Sequence, residues 1–95
     1  LTQQQRVEVE ATILDQRGVR AYHSREYGQS ISYLTALEQM NGSLRRDLAM
    51  LRAYAYMNNG QNDAALAEFS RLHTELATDE TRAAMQSLRN IMSAG

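Results

Sequence analysis

Proline, cysteine, lysine and tryptophan are all absent from this chain, and each absence narrows what it can be. Proline and glycine are the usual local breakers, so a chain with no proline and five glycines can run through long helices. Without cysteine there is no disulfide, no thiolate nucleophile and no cysteine-based zinc site, while cytoplasm and periplasm both stay open. No apolar run approaches the roughly 18 residues of a membrane span, so direct membrane insertion is not expected of this soluble composition. The start, Leu1 to Arg6, lacks the apolar stretch of a signal peptide and lacks methionine, which fits an excised or processed segment. All ten basic residues are arginine, as in the coding bias of a GC-rich genome, and eleven acids leave a net charge of −1. That balance supplies none of the positive field that phosphate backbones attract, so nucleic acid is not an expected partner.

What is present suits a small folded domain. Hydrophobic residues make up 43% and charged residues 22%, ordinary values for a chain with a core. A chain this short buries only about 60–65% of its unfolded surface, which leaves one thin core and little material for an enclosed pocket.

The local signals predict five helices. Thr2 with Gln5 has the spacing of a capping box, and a first helix runs from there to His23. Ser24 is placed to cap the second, in which Tyr27, Ile31, Leu34, Leu37 and Met40 recur at three- and four-residue steps. Asn41-Gly42 stops it, and Ser43 can cap a third helix from about Leu44 to Asn58. Asn59-Gly60 repeats the stop, a fourth helix follows from near Gln61 to Leu76, and Thr78 opens a fifth with Asp79 and Glu80 in its first turn. Loops of about two to four residues force neighbouring helices antiparallel.

A period of thirty-five residues organises these helices. Ala53, Tyr56, Gly60, Ala65, Phe69 and Leu72 correspond to Gly18, Ala21, Arg25, Ser30, Leu34 and Leu37 one period earlier. One period later stand Leu88, Ile91, Met92 opposite Met57, and Gly95. The chain therefore reads as one domain over 1–95, with repeats at about 8–42 and 43–77 and a half repeat or capping helix at 78–95.

This pattern, best over Ala53 through Leu76, resembles the tetratricopeptide family, whose repeats of about thirty-four residues are helix pairs with small residues at their crossing. Arg25 in place of a turn glycine, Ser30 in place of alanine, and the lack of a closing proline depart from the family pattern. The resemblance implies an all-α antiparallel stack of helix hairpins, five helices wound into a right-handed superhelix; a four- or five-helix bundle with the same spacing is the alternative.

Catalytic and metal-binding patterns are missing. His23 and His73 are fifty residues apart with no metal-ligand spacing, and each falls near a helix end. There is no Gly-x-Ser-x-Gly elbow, and Glu8 with Glu10 and Asp79 with Glu80 do not share a helix face. Gly42 and Gly60 lack the further glycines and lysine of a phosphate cradle. No catalytic residue, cofactor or metal is expected, and the chain does not read as an enzyme.

In the family the first helix of each pair lines a concave groove. Carried over, that selects Asp15, Val19, Tyr22 and His23; Met50, Tyr54, Met57 and Asn58; and Arg82, Met85, Arg89 and Met92. Four of the five methionines fall in this set, which suits an adaptable binding surface, and tyrosine and arginine are favoured at binding hot spots. The same methionines would equally serve as packing between helices. The family's carboxylate clamp for chaperone tails needs basic and amide groups where this chain has Asp15 and Val19, with only Arg82 fitting, so an apolar or mixed peptide or helix is the expected ligand. Such a scaffold would serve a larger bacterial assembly or a secretion system. The alternatives are a small secretion chaperone, or a structural spacer or self-associating module whose C-terminal helix, open at Met85, Leu88, Ile91 and Met92, docks on more repeats or on a second copy as a homodimer.

Overall fold

The computed structural model describes residues 2–94. Five helices follow one another: α1 (Gln3–His23), α2 (Tyr27–Asn41), α3 (Arg46–Asn58), α4 (Asn62–Glu75) and α5 (Asp79–Ala94). Two of them begin with reciprocal side-chain caps. At α1 the Gln5 N–H donates to Thr2 Oγ1 at 3.1 Å while the Thr2 N–H donates to Gln5 Oε1 at 2.8 Å. At α5 the Thr81 N–H donates to Thr78 Oγ1 at 3.1 Å, and the Thr78 N–H donates to Thr81 Oγ1 at 3.0 Å.

The two serines expected to open helices do not. Ser24 instead closes α1, its N–H donating to Arg20 O at 3.0 Å, and α2 starts behind Glu26 with no side-chain cap. The chain has to reverse through Arg25 first, so the helix start moves past the reach of the Ser24 hydroxyl. At α3 the start lies at Arg46, two residues later than expected, and Arg45 and Asp47 pair with each other at 2.6 Å across the first turn.

The thirty-five-residue period is visible in backbone geometry. After α1 the Glu26 N–H reaches back to Ala21 O at 2.8 Å and the Arg25 N–H to Tyr22 O at 3.0 Å. After α3 the Gln61 N–H reaches Tyr56 O at 2.9 Å and the Gly60 N–H reaches Met57 O at 3.2 Å. These are the same left-handed C-terminal cap, formed by residues one period apart, with φ of 63° at Arg25 and 77° at Gly60. The corresponding position of the third unit, Gly95, lies outside the described residues.

Each turn returns a helix onto its predecessor through small residues. At the α1–α2 crossing a Cβ on Gly18 would fall 2.6 Å from Leu34 Cδ2, and the buried Ser30 hydroxyl donates to Gly18 O at 2.7 Å. Ala53 and Ala65 take these places between α3 and α4, and Phe69 takes that of Leu34; all four side chains at 30, 34, 65 and 69 are fully buried. Burying Leu34 or Phe69 contributes about 1.5–3 kcal/mol each. One core cluster gathers Leu34, Leu37 and Leu48, with Leu14, Val19 and Leu44 packed on it. A second gathers Ala53, Ala65, Phe69, Ala84, Met85 and Leu88.

Each helix packs on the next in sequence, and α1 also meets α3. The principal extents are 52 × 27 × 17 Å and the radius of gyration is 14.3 Å. A compact domain of this length would have a radius of gyration of about 12 Å, so the helices form an elongated stack, not a closed bundle.

Candidate functional site

Of the three helices expected to line a groove, α1 and α3 pack on each other, and Tyr54 links α3 to the start of α5. Its ring packs edge-on against Phe69 with centroids 5.0 Å apart, and its hydroxyl donates to Glu80 Oε2 at 2.8 Å. Burial, then the Glu80 hydrogen bond and charge and the nearby Tyr22 phenol, push the Tyr54 hydroxyl up to about 12. Tyr22 is half-buried in α1, edge-on to His23 and to Tyr27 with centroids 5.7 and 5.5 Å away. Its pKa is raised, by burial first and by Tyr27 second.

The residues selected for the groove divide into three groups. Val19 packs on the upper core cluster, and Met50 and Met57 pack half-buried on the lower one. Met85, at 9% exposure, belongs to the core itself. Asp15 is half-buried and faces Arg45 at 3.4 Å, so its carboxylate is engaged within the chain. Arg82 is exposed but pairs with Asp79 at 3.1 Å, one turn away. Open to a ligand are His23, Asn58, Arg89 and Met92, with Tyr22 and Tyr54 half-buried among these elements. The Asn58 Nδ2 donates to Tyr54 O at 2.8 Å, which fixes the amide with its oxygen free, and Arg89 has no ion-pair partner among the described residues.

At the C-terminal end the expected open apolar surface is much reduced. Leu88 is fully buried and Met85 nearly so, leaving Ile91 and Met92 exposed at 49% and 39%. Two side chains are a slender basis for the homodimer contact expected there. A comparable pair lies on α1, where Val9 and Ile13 are exposed along a shallow groove of about 430 Å³ shared with Gln5, Glu8 and Thr12.

Several polar contacts were not legible in the sequence. Arg52 is buried in the middle of α3, donating from Nε to Glu68 at 2.7 Å and from Nη1 and Nη2 to Glu38 at 3.0 and 3.2 Å. Arg71 adds a second donor to Glu68 at 2.5 Å. The signal was its register: Arg52 follows Leu48 by four residues and Ala49 by three, on the apolar stripe of α3. Arg46 donates to Leu72 O and Leu76 O at 2.8 Å each, and His73 Nδ1 lies 2.7 Å from Thr81 Oγ1. Among the described residues no three histidine or carboxylate side chains come together to hold a metal ion, and no helix is long and apolar enough to cross a membrane.

No protein-family model matches the chain, and no curated protein and no solved structure matches it.

Proposed function

We propose that this chain is a tetratricopeptide-like protein-interaction module, without catalytic activity, that receives a partner peptide or helix on the face formed by α1, α3 and α5. The observation that carries it is the recurrence of one left-handed turn at Arg25 and Gly60, thirty-five residues apart, with the same pair of backbone hydrogen bonds. Turns repeated in this way give successive helix pairs a common orientation, and stacked pairs of that kind align their first helices into a shared surface. The free groups there, Tyr22, Asn58, Arg89 and Met92, combine aromatic, amide, cationic and thioether chemistry. Such a mixture suits a peptide of mixed character better than an acidic tail, since Asp15 occupies a place where a carboxylate clamp needs a cation. A place within a larger bacterial assembly or secretion system, as scaffold or small chaperone, belongs to the same proposal.

Panning a random peptide library against the chain tests it. The selected peptides should lose roughly tenfold or more in affinity for an Asn58→Arg, Arg89→Glu double variant, whose exposed substitutions leave the core intact. Equal binding by the variant would reject this face.

Self-association is a second reading, favoured by Ile91. Its counterpart in the first unit, Ala21, is 5% exposed beneath α2, whereas Ile91 is 49% exposed. Light scattering at increasing concentration distinguishes the two: a persistent monomer rules against self-association.

A further inference from the structure

Arg52 and Leu48 show how α3 receives the helix before it. Leu48 packs with Leu34 and Leu37 of α2, and four residues further along α3 the Arg52 guanidinium takes the Glu38 carboxylate in two hydrogen bonds. The helix α2 thus presents a ridge of two leucines three residues apart followed directly by a carboxylate. On its other side Arg52 meets Glu68 of α4.

One period earlier the same positions are Ile13 for Leu48, Arg17 for Arg52, and Tyr33 for Glu68. On the α2 side of α1, Arg17 and Tyr33 line a common recess. On the other side, where α2 would be found against α3, no described helix covers α1. Ile13 is 38% exposed where Leu48 is 3%, and Val9, one turn earlier, is 48% exposed. Glu10, Ile13, Leu14, Arg17 and Met40 border a shallow groove of about 340 Å³, with the Glu10 carboxylate two turns of α1 before Arg17 and not paired with it. Arg17 has no ion-pair partner among the described residues, whereas Arg52 has two.

We infer that this outer face of α1 is a docking site for an amphipathic helix of a partner protein, one that carries two aliphatic residues three apart and a carboxylate immediately after them. The aliphatic pair covers Ile13 and Val9, and the carboxylate pairs with Arg17. A second folded copy of this chain cannot supply the ridge from α2, because Leu34 and Leu37 are 0% and 4% exposed in their own core. The site depends on the equivalence of α1 with α3 and is separate from the α1–α3–α5 face, so either can fail without the other.

The probe is a fluorescent synthetic peptide with the sequence of residues 27–41, held helical by a staple bridging positions 28 and 32, both exposed in α2. Anisotropy should show saturable binding to the full chain. Arg17→Glu should weaken it about fivefold or more, as the loss and reversal of one partly exposed ion pair requires. A peptide carrying Glu38→Arg should recover the lost affinity toward that variant, and Ile13→Asp should abolish binding of both peptides. Circular dichroism confirms that each variant stays helical. No saturation at millimolar peptide would overturn the inference, as would binding indifferent to Ile13→Asp and Arg17→Glu, which would mean that the peptide displaces α2 from α3. Failure of the charge-swapped peptide to rescue would overturn the Arg17 pairing. A dimer in light scattering that Ile13→Asp dissolves would assign the face to a second copy instead.

Discussion

Arg25 holds a backbone conformation that suits glycine, and the chain itself shows the comparison: Gly60 makes the same turn one period later. A side chain in the left-handed region crowds the following carbonyl, so Arg25→Gly should stabilise the fold by about 1 kcal/mol. For a domain of this size that raises the melting temperature by about 4–8 °C, and an unchanged or lower value would contradict the shared turn. Arg52 works in the opposite direction. Arg52→Met leaves Glu68 buried with Arg71 as its one cation, and should destabilise the chain by about 3 kcal/mol in urea unfolding. The Arg52 hydrogen bond also holds the Glu38 carboxyl below its ordinary range, against the opposing effect of burial. A depressed carboxylate stabilises the fold above its unfolded value, about pH 4.3, and that contribution is lost as the pH falls through the folded value. Stability should therefore fall less steeply below about pH 5 in Glu38→Gln than in the parent chain. The Thr2 cap was legible because both partners lie within four residues, whereas Arg52 reads locally as a solvated charge. Its carboxylates come from α2 and α4, and only the folded stack brings them together.

Among the elements, α4 ends differently from its neighbours. Leu76 at its C-terminus is extended, with φ −156° and ψ 105°, so no left-handed residue satisfies the last carbonyls. Arg46 reaches across from the start of α3 and donates to Leu72 O and Leu76 O. A cation at the negative end of the helix dipole does there what a glycine turn does after α2, where Gly42 has φ 81°. Arg46→Met should cost about 1.5 kcal/mol. Amide exchange should accelerate first at Leu76, whose N–H bonds to Leu72 O; uniform acceleration along the chain would mean that Arg46 has no special bearing on this terminus. The helices and their stops were readable because Asn41-Gly42 and Asn59-Gly60 act through adjacent residues. The serine caps were misread for the same local reason. A hydroxyl at Ser24 or Ser43 is suited to a helix start, but the reversal through Arg25 and the Arg45–Asp47 pair set where α2 and α3 begin.

At the scale of the molecule, the thirty-five-residue period produces an all-helical stack in which each unit buries its small-residue crossing and leaves its ends unequal. Periodicity showed in the sequence as soon as corresponding positions were superposed, since Gly18, Ser30, Ala53 and Ala65 are all small. The exposed surface was harder to read. A methionine or leucine at helical spacing looks the same whether the next helix covers it or not, and so Met85 and Leu88 were expected at an open end where they are buried. The exposure is carried by Ile91 and Met92 at that end and equally by Val9 and Ile13 on the N-terminal half of α1. The most direct test of the binding face is chemical-shift mapping on the isotope-labelled chain, titrated with a peptide selected by panning. Perturbations concentrated at Tyr22, Tyr54, Asn58 and Arg89 are the predicted result. Perturbations confined to Val9, Ile13 and Arg17, or no peptide that binds at all, would contradict the assignment of the α1–α3–α5 face.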